Sequence, residues 1–223
     1  MANPPPVAGA KKRGLGCCGC GCIILAILAI LFLALIVGTG YLAYSGALKF
    51  TSDKPGDVPA FDGGDDVFNT ARQKASGFFH DAQNHLPATV QLSADEINTL
   101  LARDPDLVKN NIHLYVTFDN DQTRLQSSIP TGILSDGLLK GRYLNSDISF
   151  GVDFNPDTKN LNFELQDFKV GQTDVPKENL AIMQSELNPT INALLQNNPD
   201  AKKTLSHITS IRIENSQLIM ESK

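Results

Sequence analysis

The chain's thiol chemistry is confined to Cys17, Cys18, Cys20 and Cys22, crowded into Gly16–Cys22. Three readings compete for this cluster. As metal ligands the cysteines are poorly spaced, because tetrahedral thiolate sites usually draw on two separated pairs; two chains together could share an ion. As juxtamembrane cysteines they suit S-acylation. The plainest reading is small, mildly apolar residues, reduced and unmodified. Everything after Cys22 lacks cysteine, so that region uses no disulfide and must be held by its core.

Other reactive groups are sparse. His80 and His85 are five residues apart, so they do not share a helix face as i, i+4 metal ligands would. His113 falls on the polar face of an expected strand and His207 just before another. Carboxylates gather at Asp62/Asp65/Asp66, Asp95/Glu96 and Asp119/Asp121. The first group sits in a linker, the second opens a helix and the third makes a turn. Asp119-Asn120-Asp121 begins like a calcium loop, but no suitable closing Glu follows. No Gly-x-Ser-x-Gly elbow or phosphate-cradling glycine loop occurs. The residues therefore point to a non-enzymatic protein without a cofactor, a hydrolase being the least favoured alternative.

The elements that would position these groups read as follows. Phe68, Ala71, Ala75, Phe78, Phe79, Ala82 and Leu86 form an apolar stripe that predicts a helix over Val67–His85. A short strand, Thr89–Leu92, follows. Ser93 and Glu96 make a capping box for a helix over Ala94–Ala102. Alternating apolar residues predict strands at Ile112–Phe118, Thr123–Ile129, Arg142–Asn155 and Leu161–Val170, with a bulge near Asp167 where the apolar parity flips. A helix over Lys177–Leu195 should kink or restart at Pro189, with Asn188 as the new cap. A hairpin, Ile208–Ile213 and Gln217–Glu221, closes the chain. Strands with one apolar and one polar face imply antiparallel pairing with one buried side. The expected class is α+β: a one-faced, curved antiparallel sheet covered by helices. Phe78, Phe79, Phe118, Phe150, Phe154 and Phe163 fall on inward positions. They fill the core, or they line a groove for an apolar ligand.

The N-terminal part is organised differently. Residues 1–13 are Pro/Ala-rich and end in Lys11-Lys12-Arg13, a disordered basic tail. A Cys/Gly-rich juxtamembrane segment, 14–22, leads into Ile23–Tyr44, an uncharged run that would extend roughly 33 Å as a helix, enough to cross a bilayer. The basic flank implies a cytoplasmic N-terminus and an extracytoplasmic C-terminal domain. A cleaved signal peptide is the competing reading, with Ser45-Gly46-Ala47 as the cleavage region, but its apolar stretch would be shorter. Residues 45–66 read as a flexible acidic linker and 67–223 as a single domain. The chain carries a formal charge of −5. With the basic tail set aside the remainder is more acidic still, which argues against nucleic acid as a partner.

Leu92-Ser93-Ala94-Asp95-Glu96-Ile97-Asn98-Thr99-Leu100-Leu101, followed by Val170-Gly171-Gln172-Thr173-Asp174-Val175-Pro176 leading into a helix, resembles the YpmS-like bacterial proteins over about residues 90–215. The resemblance implies a single-span, membrane-anchored protein of the cell envelope. The long first helix and the cysteine-rich tail depart from that pattern. Two functions follow as expectations. The domain holds a lipid or another apolar ligand between sheet and helix, or it presents a sheet edge or its polar face to an envelope protein.

Overall fold

The computed structural model describes residues 50–119, 121–133 and 139–223. The tail, the four cysteines and the expected span 23–44 lie outside the described residues. Among the described residues, no helix is long and apolar enough to cross a membrane.

The class is α+β, with two antiparallel sheets where one was expected. In chain order the elements are α1 (Gly64–Gln83), β1 (Ala88–Ser93), α2 (Ala94–Ala102), α3 (Pro105–Lys109), β2 (His113–Asp119), β3 (Gln122–Pro130), a 3-10 turn (Thr131–Ile133), β4 (Tyr143–Asn155), β5 (Asn160–Val170), β6 (Thr173–Asp174), α4 (Lys177–Asn197), α5 (Pro199–His207), β7 (Ile208–Glu214) and β8 (Gln217–Ser222). The large sheet has the order β2-β3-β4-β5-β6 and the small one β1-β8-β7. β1 pairs with β8, Ala88 opposite Ser222 and Ser93 opposite Gln217, which takes both strands out of the single sheet that alternation suggested.

Local chemistry explains most boundaries. The Ser93 hydroxyl accepts from the Glu96 amide (3.2 Å) while the Glu96 carboxylate accepts from the Ser93 amide (2.9 Å), the expected capping box. His85 adopts φ 61°, so the chain leaves α1 before Leu86, which is exposed rather than part of the helix stripe. Asp104 caps α3, accepting from Asp106 and Leu107 with Pro105 in its first turn. Asn198 accepts from the Ala201 amide at the start of α5. Both short helices carry the cap-then-proline signal, yet neither was expected. At the last hairpin Asn215 and Ser216 both have positive φ, the requirement of a two-residue turn matching strand twist. The bulge falls at Gln166: Ser149 pairs with Asp167 and Phe150 with Leu165.

Rows of apolar residues run across the large sheet, Val116-Leu125-Ile148-Phe168 being one. These join residues of every α-helix and of the small sheet in one contiguous core. The rows exist because alternation puts every second side chain on the same face.

Helix amides bond part of the outer edges of β5 and β2. On β5, the Leu161 amide donates to Asn192 (2.8 Å), the Phe163 amide to Asn188 (2.9 Å) and the Leu165 amide to Gln184 (3.3 Å). Asn192 and Asn188 also donate back to the carbonyls of Leu161 and Phe163. Four helix residues rise about 6 Å and two strand residues about 6.7 Å, so an i, i+4, i+8 series can follow an edge strand. Asn188 is thus occupied by β5. It does not restart the helix: α4 runs unbroken with Pro189 inside it. On β2, Asn98 makes the same two-bond contact with Val116, accepting at 2.7 Å and donating at 2.8 Å.

The segment expected as flexible linker through residue 66 is docked from Phe50 onward. Ser52 and Tyr143 exchange backbone hydrogen bonds of 2.8 and 2.7 Å. The Gly56 amide donates to Asn145 (2.8 Å) and Ser128 (3.0 Å). A Cβ on Gly56 would meet the Asn145 side chain at 3.0 Å, so the close approach favours glycine here. Farther on, the Gly63 amide donates to Thr99, and Arg103 bridges Asp62 (2.9 Å) and Asp65 (2.6 Å). α1 therefore begins at Gly64, and the folded unit includes residues 50–66 that were expected outside it.

Candidate functional site

The apolar face of the large sheet is taken up by the core, so its polar face is where charged side chains collect. Strand alternation aligns Thr117, Arg124, Ser149 and Asp167 in one row across β2–β5. The neighbouring row runs Gln126, Asp147, Lys169, Asp174 from β3 to β6. Together with Asp119, Gln122 and Thr123, the residues of these rows other than Gln126 line an open cleft of about 510 Å³, bordered on its β5–β6 side by Phe168 and Val175.

Arg124 holds Asp147 through both oxygens, with Nε to Oδ1 at 2.7 Å and Nη2 to Oδ2 at 2.5 Å. Gln126 donates to the same carboxylate at 3.3 Å. The Arg124 fork, assisted by Gln126, holds the Asp147 carboxyl below the usual carboxylate range despite its partial burial. Asp147 in turn raises Arg124. Such a fixed pair is a rigid feature in the floor of the cleft, because two parallel bonds set the guanidinium plane. Lys169 and Asp174 make a looser contact at 3.9 Å. Asp119, Asp167, Lys169 and Asp174 are all exposed.

No family model matches this chain. Nor does any curated protein or solved structure match it significantly.

The cleft presents one fixed ion pair and several exposed charges of both signs. Ser149 has Asp167 opposite it in register but no histidine in the cleft lining to act as a base. Among the described residues, no three His, Cys, Asp or Glu side chains are grouped to hold a metal ion.

The residues singled out from sequence are distributed elsewhere. Phe78, Phe79, Phe150, Phe154 and Phe163 are buried in the core, at most 7 % exposed, and Phe118 packs against it partly buried. Phe78 meets Phe79 edge-on with centroids 5.5 Å apart, and Phe150 meets Phe163 at 5.9 Å. The structure brings these rings together as packing partners of one another. Of the acidic clusters, Asp62 and Asp65 hold Arg103, and Glu96 closes its cap and pairs with Lys74 at 2.6 Å. Asp119 alone of them reaches the cleft.

The histidines follow no shared pattern. His80 contacts Asp81 and Asn84, and His113 contacts Asn111. His85 and His207 stack edge-to-face with centroids 4.2 Å apart. Burial pushes the His207 imidazole below its ordinary value, with His85, Lys203 and Lys159 adding repulsion. Nothing local in the sequence signals this pair, because it joins the loop after α1 to the end of α5. The cleft was legible only as a set of polar alternates on separate strands; which strands lie side by side came from the pairing.

Proposed function

We propose that this chain is a membrane-anchored, non-enzymatic binding module of a cell envelope, and that the polar face of the large sheet meets an envelope protein. One observation carries the reading: the apolar face is packed in the core and α4 amides bond the outer edge of β5, leaving the polar face with its cleft as the broad exposed surface of the sheet. An added strand from a partner would need free backbone groups on an edge, and the Leu161–Leu165 stretch of β5 is already bonded by α4 and Val116 of β2 by Asn98. Recognition by charged side chains needs no such vacancy. The anchor is the uncharged run Ile23–Tyr44 behind Lys11-Lys12-Arg13, N-terminus cytoplasmic. The likeness to YpmS-like proteins supports the same placement.

The test is a photo-crosslinking amino acid at Asp167 in the full-length chain, expressed in its native membrane. An adduct of defined mass at Asp167, weakened by Lys169→Glu and absent when the crosslinker replaces exposed Ile182 on α4, is the expected result. Equal labelling from both positions, or none from Asp167, would sink the proposal.

A further inference from the structure

The strap formed by residues 50–63 reaches further than stability. It rests on the membrane reading above and adds an orientation to it. Eight residue-to-residue steps lead from Tyr44, the last of the proposed span, to Ser52, which is bonded to Tyr143. A chain of that length extends at most about 28 Å. Tyr143 opens β4, so the start of β4 is tied near the bilayer while Asn155, at its other end, lies roughly 40 Å away along the strand.

We propose that the β3–β4 end of the large sheet faces the lipid surface of the membrane that the span crosses. The groups at that end suit an interface. Ile133 is 46 % exposed in the 3-10 turn, and Lys54 and Lys140 are exposed nearby, with Asp53 and Asp57 the opposing charges on the strap. An apolar side chain beside long cationic ones fits the boundary between acyl chains and headgroups. Pinning makes this more than proximity. The Ser52–Tyr143 bridge and the Gly56 bonds to Asn145 and Ser128 fix the strap on β3 and β4, so the chain from the span enters the folded domain at this end rather than at residue 67. The cleft begins two rows beyond the bridge, at Asp147. It therefore opens side-on, within roughly 40 Å of the headgroups, and a partner reaches it from beside the membrane.

The experiment uses the full-length chain in phosphatidylcholine vesicles bearing a headgroup energy-transfer acceptor. A fluorescent amino acid replaces Ile133 or, at the opposite end, exposed Thr158. Flotation with the vesicles comes first: a chain that does not float overturns the span and this orientation together. For a chain that floats, transfer from position 133 should exceed that from 158 several-fold. Equal transfer, or more from 158, overturns the orientation while leaving the span standing. Ser52→Pro, which removes a bonded amide without touching the core, should shrink the difference between the two positions. An undiminished difference in that variant would show that the strap does not set the orientation. Circular dichroism matching the wild type confirms that the variant is folded.

Discussion

Asn98 shows how much one polar side chain carries. It is 2 % exposed, and its amide satisfies both the N–H and the C=O of Val116 on β2. Removing one partner of a buried hydrogen bond strands the other, at a cost of about 1–3 kcal/mol for each group. Asn98→Leu, similar in volume, should therefore lower stability by about 2–4 kcal/mol, read from urea denaturation of residues 50–223. A change below about 0.5 kcal/mol would mean that water replaces the amide. His207 gives a pH dependence. Its folded pKa lies below the ordinary imidazole value because burial and then His85, Lys203 and Lys159 oppose its charge. The unfolded chain then binds the proton first as pH falls. This contribution is present above about pH 6.5 and is lost as pH drops through that value toward the folded pKa. Melting temperatures should fall between pH 7 and 5, and His207→Gln should flatten the slope. An unchanged slope in that variant would assign the effect to other groups.

At the scale of elements, α4 acts as a cover as well as a core helix. Leu180, Leu187, Ile191 and Leu195 enter the core, while Gln184, Asn188 and Asn192 point at β5. Those two series are offset on the same helix, which lets one element bury apolar surface and satisfy a strand edge together. An uncovered edge strand is a template for pairing with another chain. Replacing Gln184, Asn188 and Asn192 together by alanine should leave the core residues in place but promote self-association. Light scattering at increasing concentration reads this, and a strictly monomeric triple variant would show that the edge is protected some other way. The apolar stripe of α4 was visible in sequence. The amide series was visible as well, but its purpose was not, because polar residues on a helix usually face solvent.

The whole molecule joins two sheets through one core, with the strap across β3 and β4 as its outer tie. Because both sheets share that core, residues 50–223 should unfold in a single cooperative transition. A fragment beginning at residue 67, the boundary that composition suggests, loses the Ser52–Tyr143 bridge, the Gly56 bonds and the Asp62 and Asp65 contacts with Arg103. It should melt several degrees lower than 50–223 in calorimetry. Equal melting temperatures would mean that the strap is bound too weakly to orient the domain.

Short-range signals in the sequence were enough for the α+β class, the Ser93–Glu96 cap, the bulge beside Asp167 and the inward phenylalanines. Each depends on neighbours within a few residues: hydroxyl to amide, alternate side chains, a parity flip. Alternation says which face of a strand is buried, but not which strand lies beside it. The tertiary structure alone decided that β1 leaves the main series to pair with β8, that Arg124 and Asp147 meet, and that His85 touches His207. It also decided that Gly56 seats against Asn145, turning an acidic, proline- and glycine-rich stretch into a strap. Such pairings join residues far apart in the chain. Their stability comes from burial and hydrogen bonding that exist only once the chain has closed on itself.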